Sequence, residues 1–391
     1  MYELTEMQRE IRSEAERFCK DKIWPLSSKM DDDEQWPEEL FPMLGANGYL
    51  GLTIPPEYGG QGMSLFDAGL VCEVMSKWNH AAMLGWAAHD NLCANNIHRN
   101  ANDDIRRRYL PGLCDGSKVG ALALTEPGAG SDAIGSMATT ATLDGDSYVL
   151  NGRKLYITNG PIADVILVYA KTDLAAGARG ITAFVVETGS PGFSVAQKLV
   201  KMGFRGSETG ELLFDDCRVP AKNVVGDVNN GVAVVMSGLD LERAFLAPSA
   251  VGMADRCLEL SLEYSAAREQ FGRPIGDNQA IQFKLADMWL GVETARTYAY
   301  RVLAMCDAMD ARGGHADAGR GEIHAHSAAA LLYATETLRK VADEAVQIHG
   351  GVGYIWEVEV NRIYRGAKLL EIGAGTQEVR RMIISGWLRG Q

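Results

Sequence analysis

Tyr148-Val149-Leu150-Asn151-Gly152-Arg153-Lys154-Leu155-Tyr156-Ile157-Thr158 is the stretch that sorts this chain into its parts. An apolar run, an Asn-Gly pair and a second run rich in strand formers read as two strands joined by a type I′ turn. More strand candidates follow at 163–170, 181–187, 193–197 and 210–214, and the segment Asp215-Asp216-Cys217-Arg218-Val219-Pro220 closes the zone. So many short strands in succession predict a small sandwich or barrel. Strands do not alternate with helices here, so a dinucleotide-binding βαβ fold is not indicated.

On either side the apolar period changes to that of helices. Leu4, Ile11, Phe18 and Ile23 recur at helical spacing before Pro25, which is expected to stop the helix. A second helix is expected from Trp36 to about Gly45, and a third, capped by Ser64, to about Trp78. Another is expected over 81–96, and a short charged one from Asp103 that ends before Pro111. Downstream, 231–268 and 278–309 are nearly free of breakers, 310–321 reads as a Gly-rich loop, 322–348 is helical, and a last helix runs from near Thr376 to near Trp387. The fold class is therefore α+β, divided at 1–119 (helical), 120–230 (β, sandwich or barrel) and 231–391 (helical bundle).

Composition narrows the function. A hydrophobic fraction of 47% with 23% charged residues belongs to a folded globular chain. The formal net charge of −13 argues against nonspecific binding to nucleic acid or to an anionic membrane. The 43 glycines and the Ala-rich stretches imply helices in close backbone contact. Seven cysteines without a C-x-x-C pair predict free thiols, and with no signal-like or membrane-spanning apolar run the expectation is a cytoplasmic protein. The seven histidines are dispersed, and His324 and His326 fall on different helix faces, so no metal site is expected.

Two segments invite a ligand. In Ala123-Leu124-Thr125-Glu126-Pro127-Gly128-Ala129-Gly130-Ser131-Asp132, Gly128 and Gly130 let backbone N–H groups approach a ligand while Thr125 and Ser131 add hydroxyls. The bland alternative is a turn-rich surface loop. In Leu369-Leu370-Glu371-Ile372-Gly373-Ala374-Gly375-Thr376-Gln377-Glu378, glycines precede a helix start able to receive an anion, or simply an ordinary capped helix.

Taken together, Pro56-Glu57-Tyr58-Gly59-Gly60, the 125–132 segment, Tyr156-Ile157-Thr158-Asn159-Gly160, Arg268-Glu269-Gln270-Phe271-Gly272, Gln347-Ile348-His349-Gly350-Gly351-Val352-Gly353-Tyr354 and Gly375-Thr376 resemble the flavin-dependent acyl-CoA dehydrogenases over essentially the whole chain. The resemblance implies an N-terminal helical domain, a middle β-barrel, a C-terminal four-helix bundle and a homotetramer built as a dimer of dimers. It implies FAD, approached by Leu122, Leu124, Thr125 and Ser131, with Tyr156 and Thr158 on the other side. Arg268, Phe271 and Gln279 are expected to reach a partner subunit's FAD, with Gln347, Gly351, Thr376 and Glu378 also touching the cofactor.

The implied reaction is α,β-desaturation of an acyl thioester, with electrons leaving through electron-transfer flavoprotein. A carboxylate takes the α-proton while hydrogen bonds polarise the thioester carbonyl. Many members carry the glutamate just before the Gly-Thr pair, but Ala374 stands there. The isovaleryl branch makes the same change and places its glutamate within Leu-Asp-Leu-Glu-Arg, matched here by Leu239-Asp240-Leu241-Glu242-Arg243. Glu242 is the expected base, with Glu371 as rival, and Trp86, Ser131, Leu239, Arg243, Gly373 and Ala374 are the expected substrate contacts. Gly373 replaces the aromatic residue of straight-chain enzymes, leaving room for a methyl branch.

Trp86 (for tyrosine), Pro248-Ser249-Ala250 (for Gly-Gly-Pro), Gly366 (for aspartate) and Leu370 (for tyrosine) depart from that branch. The reading is thus a short branched-chain acyl-CoA dehydrogenase acting on an isovaleryl-like substrate. It leaves open another branched, cyclic or carrier-protein-bound thioester, an oxidase-like activity, a flavin monooxygenase of the same fold, or a non-enzymatic scaffold.

Overall fold

The computed structural model describes residues 3–312 and 321–390. Helix α1 (Glu6–Phe18) opens with a capping box between Thr5 and Gln8. The chain then winds on through one π turn (Cys19–Ile23) and one 3-10 turn (Trp24–Leu26) into α2 (Ser27–Asp33). Pro25 therefore does not end the helical run; it sits in the first turn of a new segment, where its missing N–H costs nothing. Helices α3 (Leu40–Ala46), α4 (Leu65–Trp78) and α5 (His80–Ala87) follow, with Ser64 capping α4 as expected through Asp67 N at 3.1 Å. A π-helical stretch (Ala88–Asn95) leads into α6 (Asn96–Asn100), and α7 (Asp103–Cys114) runs through Pro111 rather than stopping before it. Pro111 is on the exposed side, while Leu110, Leu113 and Cys114 are buried and hold the extra turn.

The β region holds β1 (Gly120–Ala123), β2 (Thr140–Asp144), β3 (Ser147–Thr158), β4 (Val165–Lys171), β5 (Ile181–Glu187), β6 (Phe193–Lys198), β7 (Thr209–Pro220) and β8 (Val224–Val225). They form one sheet in the order β6-β7-β3-β2-β4-β5-β8, with β1 parallel to β4. The path is open, so the expected closed barrel is corrected to a folded-over sheet. The two halves meet through the single pair Thr140↔Lys171. They enclose a common apolar core that includes Leu150, Ile166, Phe184 and Phe214, with Tyr148 edge-on to Phe184 at 5.0 Å.

The expected hairpin at Asn151-Gly152 is also corrected. β3 runs straight through it and pairs with β7 on both sides, with a register shift between Leu150 and Gly152. Glycine is needed there because a Cβ would fall 2.5 Å from Thr139 Oγ1, and Asn151 exchanges two hydrogen bonds with Asp216. The hairpin turn lies earlier, at Gly145-Asp146, where Asp144 pairs with Ser147 and Gly145 has φ 64°.

The C-terminal part begins with α8 (Gly231–Ala267), then a tight ribbon of β9 (Glu269–Gln270) and β10 (Arg273–Pro274), then α9 (Gln279–Asp310) and α10 (Glu322–His349). Most of the loop expected at 310–321 lies outside the described residues. Helix α11 (Glu359–Ile372), which the sequence reading left out, precedes α12 (Gln377–Leu388). Helices α4, α8, α9 and α10 share one core, so the N- and C-terminal helices pack as a unit. Gly252 of α8 marks their closest approach: an added Cβ would sit 2.0 Å from the Glu73 carbonyl oxygen of α4.

Gly252→Ala is expected to destabilise the protein by about 1–3 kcal/mol through overpacking, lowering the thermal midpoint. Gly386→Ala on α12, where an added methyl meets nothing within 4 Å, is expected to be neutral or mildly stabilising. Thermal unfolding of both variants checks the pair.

Candidate active site

The Leu239–Arg243 segment lies in the first third of α8, and this brings Glu242 and Arg243 against the turn after α11. Glu242 is 8% exposed, and its Oε2 has no hydrogen-bond partner. Burial pushes its pKa up to about 7, against the opposing pull of the Arg243 and Arg380 guanidinium groups. A buried carboxylate oxygen without a partner is costly for a structural residue and suits a group that must take up a proton.

The turn facing it is held by cations. Arg243 Nε donates to the Ala374 carbonyl at 3.0 Å. Arg380, fully buried, donates to Thr335 Oγ1 at 3.2 Å and to the carbonyls of Leu370 and Gly373 at 2.8 and 2.5 Å. Ala374 and Gly375 are both left-handed, with φ 54° and 88°, so the chain turns sharply before Thr376 caps α12 through Val379 N at 3.3 Å. Glu371, on the same turn, is occupied differently. Its oxygens accept from Lys368 at 2.6 Å and Gln377 at 3.0 Å and pair with Arg339 at 3.2 Å. Of the two rival carboxylates, only Glu242 keeps an oxygen without a partner.

Behind Glu242 lie Asn96 of α6 and Tyr169 of β4, which the sequence reading passed over. Burial, then the neighbouring Cys93 and the Glu242 charge, raise the Tyr169 pKa. Neither Asn96 Nδ2 nor the Tyr169 hydroxyl has a hydrogen-bond partner within the chain. Arg380 was passed over too: Arg380-Arg381 gives no sign of which guanidinium is buried.

The expected cofactor residues form two groups. Leu122 and Leu124 are half-buried and, like Leu239 of α8, pack against one apolar cluster, so the end of β1 and the helix that carries Glu242 share that core. Thr125 and Thr158 are half-buried and Ser131 is exposed. Gly128 and Gly130 have nothing within 4 Å of an added Cβ. Tyr156 is 65% exposed on a left-handed backbone, φ 62°, beside a second register shift in β3. An open face with three hydroxyls and an unpacked aromatic ring fits a planar, polar-edged cofactor such as FAD.

The second group lies at the other end of α8. Arg268 follows its last residue, Phe271 and Gly272 form the tip of the ribbon, and Gln279 begins α9. His349, between Gln347 and Gly351, stacks on Tyr264 at 4.4 Å, which places both at this same end. The 26 residues from Glu242 to Arg268 span roughly 39 Å of helix, too far for one dinucleotide to serve both ends within a chain. Thr376 and Glu378 belong to the Glu242 end, apart from Gln347 and Gly351. Phe271 is 103% exposed, an apolar ring that this chain leaves uncovered.

Trp86 is fully buried, donates to the Tyr49 carbonyl at 2.6 Å and packs 5.4 Å from Phe245, so its ring presents no open surface in this structure. Gly366 lies against His80, with an added Cβ 3.0 Å from the ring, so an aspartate there would require the ring to move. Among the described residues no cluster of three or more His, Cys, Asp or Glu could hold a metal ion, and no helix is long and apolar enough to cross a membrane.

Family models match along the chain: the acyl-CoA dehydrogenase N-terminal domain over 5–117, the middle domain over 121–217 and the C-terminal domain over 229–388. The chain is 45% identical to a mitochondrial isovaleryl-CoA dehydrogenase of Pongo abelii, covering 97% of this chain and 88% of that protein. It is 42% identical to a mitochondrial 2-methylacyl-CoA dehydrogenase of Solanum tuberosum, covering 97% and 90%. Its fold matches the butyryl-CoA dehydrogenase of Megasphaera elsdenii with a TM-score of 0.93 at 37% identity over the whole of both chains. With an unpartnered carboxylate beside an open, hydroxyl-edged face, and with these matches end to end, the chain belongs to the acyl-CoA dehydrogenase family and is an FAD-dependent oxidoreductase.

Proposed function

We propose that the protein dehydrogenates a short branched-chain acyl-CoA of the isovaleryl type to its trans-2-enoyl-CoA, with Glu242 as the base and electron-transfer flavoprotein as the acceptor. The observation that carries this reading is the buried Glu242 carboxylate, with one oxygen free of partners, facing a turn whose residues 373–375 are Gly-Ala-Gly. Glu242 takes the α-proton, and burial keeps its proton affinity high enough for that task near neutral pH. The backbone N–H of Ala374, on the turn held by Arg243 and Arg380, is the protein's donor to the thioester oxygen. Bound FAD supplies the acceptor for the hydride that leaves the β-carbon. Thr125, Ser131, Tyr156 and Thr158 hold it on the open face, and Thr376 and Glu378 hold it from the Glu242 end.

An added Cβ on Gly373 meets only the Leu369 carbonyl, at 3.5 Å. That leaves room for a methyl branch, a contact of roughly 0.8 kcal/mol per group, so pocket shape favours branched acyl groups without excluding straight ones. Leu239 and Ser131 complete the contacts. Arg268, Phe271, Gln279, Gln347 and Gly351 serve a partner subunit's FAD, which accounts for the bare Phe271 ring and for a homotetramer built from such dimers. The division at 119/120 and 230/231 follows the change from helices to sheet and back. All seven cysteines are free and buried, which supports a reducing compartment such as the cytoplasm.

Three outcomes test this. Under anaerobic conditions isovaleryl-CoA should bleach the yellow protein fastest among butyryl-, isobutyryl-, 2-methylbutyryl-, isovaleryl- and longer branched CoA esters; no bleaching by any of them removes the substrate assignment. Glu242→Gln should keep its FAD and lose flavin reduction by roughly 10²–10⁴-fold; full activity would move the base elsewhere. Since Glu242 must be deprotonated to act and its folded pKa is raised to about 7, the reduction rate should climb as pH passes about 7 and level off above it. A flat profile from pH 5.5 to 8.5 in stopped-flow measurements would contradict that role.

A further inference from the structure

β3 carries a lysine on its inward side. Lys154 has no exposed surface, and its Nζ donates to Glu126 Oε1 at 2.8 Å and to the Leu124 carbonyl at 3.1 Å. Glu126, itself buried, is saturated: Oε1 also accepts from Thr139 N at 3.0 Å and Thr139 Oγ1 at 2.5 Å, and Oε2 accepts from Ala138 N at 2.6 Å. These bonds tie together both ends of the loop from Leu124 to Thr139. Three more lie beside them: Leu155 N donates to the Thr125 carbonyl at 2.8 Å, and Glu126 and Ala129 exchange two backbone bonds of 3.1 Å. Between the tied ends, Gly128, Gly130 and Ser131 are exposed. On the strand, the register shift that turns Tyr156 outward begins at Lys154.

We infer that Lys154 and Glu126 form a buried clasp that positions the cofactor face, holding Thr125 and Ser131 on one side and Tyr156 and Thr158 on the other in a single geometry. A buried ion pair is a poor stability device, since apolar residues of similar volume often serve as well or better. Apolar side chains cannot, however, hold the Leu124 carbonyl and the Ala138 and Thr139 N–H groups at fixed positions, and all three belong to the loop in question. Gly152 belongs to the same arrangement: its missing side chain lets Thr139 come close enough to reach Glu126. Lys154 and Glu126 touch no reacting atom; both are positioning residues. The inference rests on the assignment of this face to FAD.

The test is FAD titration of apoprotein, together with the midpoint potential of the bound flavin, for Lys154→Met, Glu126→Gln, the double variant and Thr139→Val. The single-charge variants should bind FAD roughly tenfold or more weakly and shift the flavin potential. The double variant leaves no buried charge unpaired, so it should fold with a near-normal thermal midpoint yet still bind FAD weakly. Thr139→Val, which keeps both charges, should weaken FAD by a smaller factor. If either single variant fails to fold, the double variant and Thr139→Val decide. Unchanged FAD affinity and potential in the folded variants, with only the thermal midpoint lowered, would reduce the pair to a structural element and overturn the inference. Thr158→Ala and Ser131→Ala separate the two levels. If they leave flavin affinity and spectrum untouched, the assignment of the face fails. If they change them while the clasp variants do not, only the clasp fails.

Discussion

Two guanidinium groups hold the structure around one unpartnered carboxylate oxygen. Arg243 and Arg380 bind one carbonyl at the end of α11 and two in the turn that follows, and so bring a loop more than a hundred residues away in sequence against the buried Glu242. Removing one cation would leave carbonyls of the turn without donors, and Glu242 would lose one of the charges that offset its burial. Glu371 shows the alternative outcome on the same turn, a carboxylate with its oxygens occupied by Lys368, Gln377 and Arg339. The carboxylate nearest in sequence to the glycines is the one whose oxygens are occupied, while the buried one on α8 keeps an oxygen unpaired.

The length of α8 sets a second constraint. One helix carries Glu242 near its start and is followed at its end by Arg268 and the bare Phe271, so the two groups of residues lie far apart along the fold. Its straight packing against α4 depends on the absence of a side chain at Gly252, which is why the glycine and alanine content of the chain reads as close helix contact.

The sheet contributes the opposite surface by alternating its faces. Along β3, Lys154 points inward to the charge pair and Tyr156 is thrown outward by the register shift, so support and contact surface alternate within three residues. Bulges of this kind re-aim side chains next to binding faces. The Asn-Gly pair that looks like a turn in the sequence is part of this arrangement.

Local pattern alone was enough for the helix–sheet–helix order, for the Ser64 cap, for most strand positions and, through the resemblance it carries, for the family and its flavin cofactor. Those features depend on periodicity and on short motifs, which a linear chain records directly. Tertiary structure decided the rest. Pro25 and Pro111 were accommodated because their missing N–H groups or exposed rings fell where the helix did not need them. Asn151-Gly152 became a bulge because Thr139 approaches from another segment. The sheet stayed open because its edge strands β6 and β8 do not pair, and Trp86 is held in the core by its bond to Tyr49 and its contact with Phe245. Arg380, Asn96, Tyr169 and the Lys154–Glu126 pair could not be read from sequence, because whether a polar group is buried, and which partner satisfies it, depends on residues brought together only by the fold.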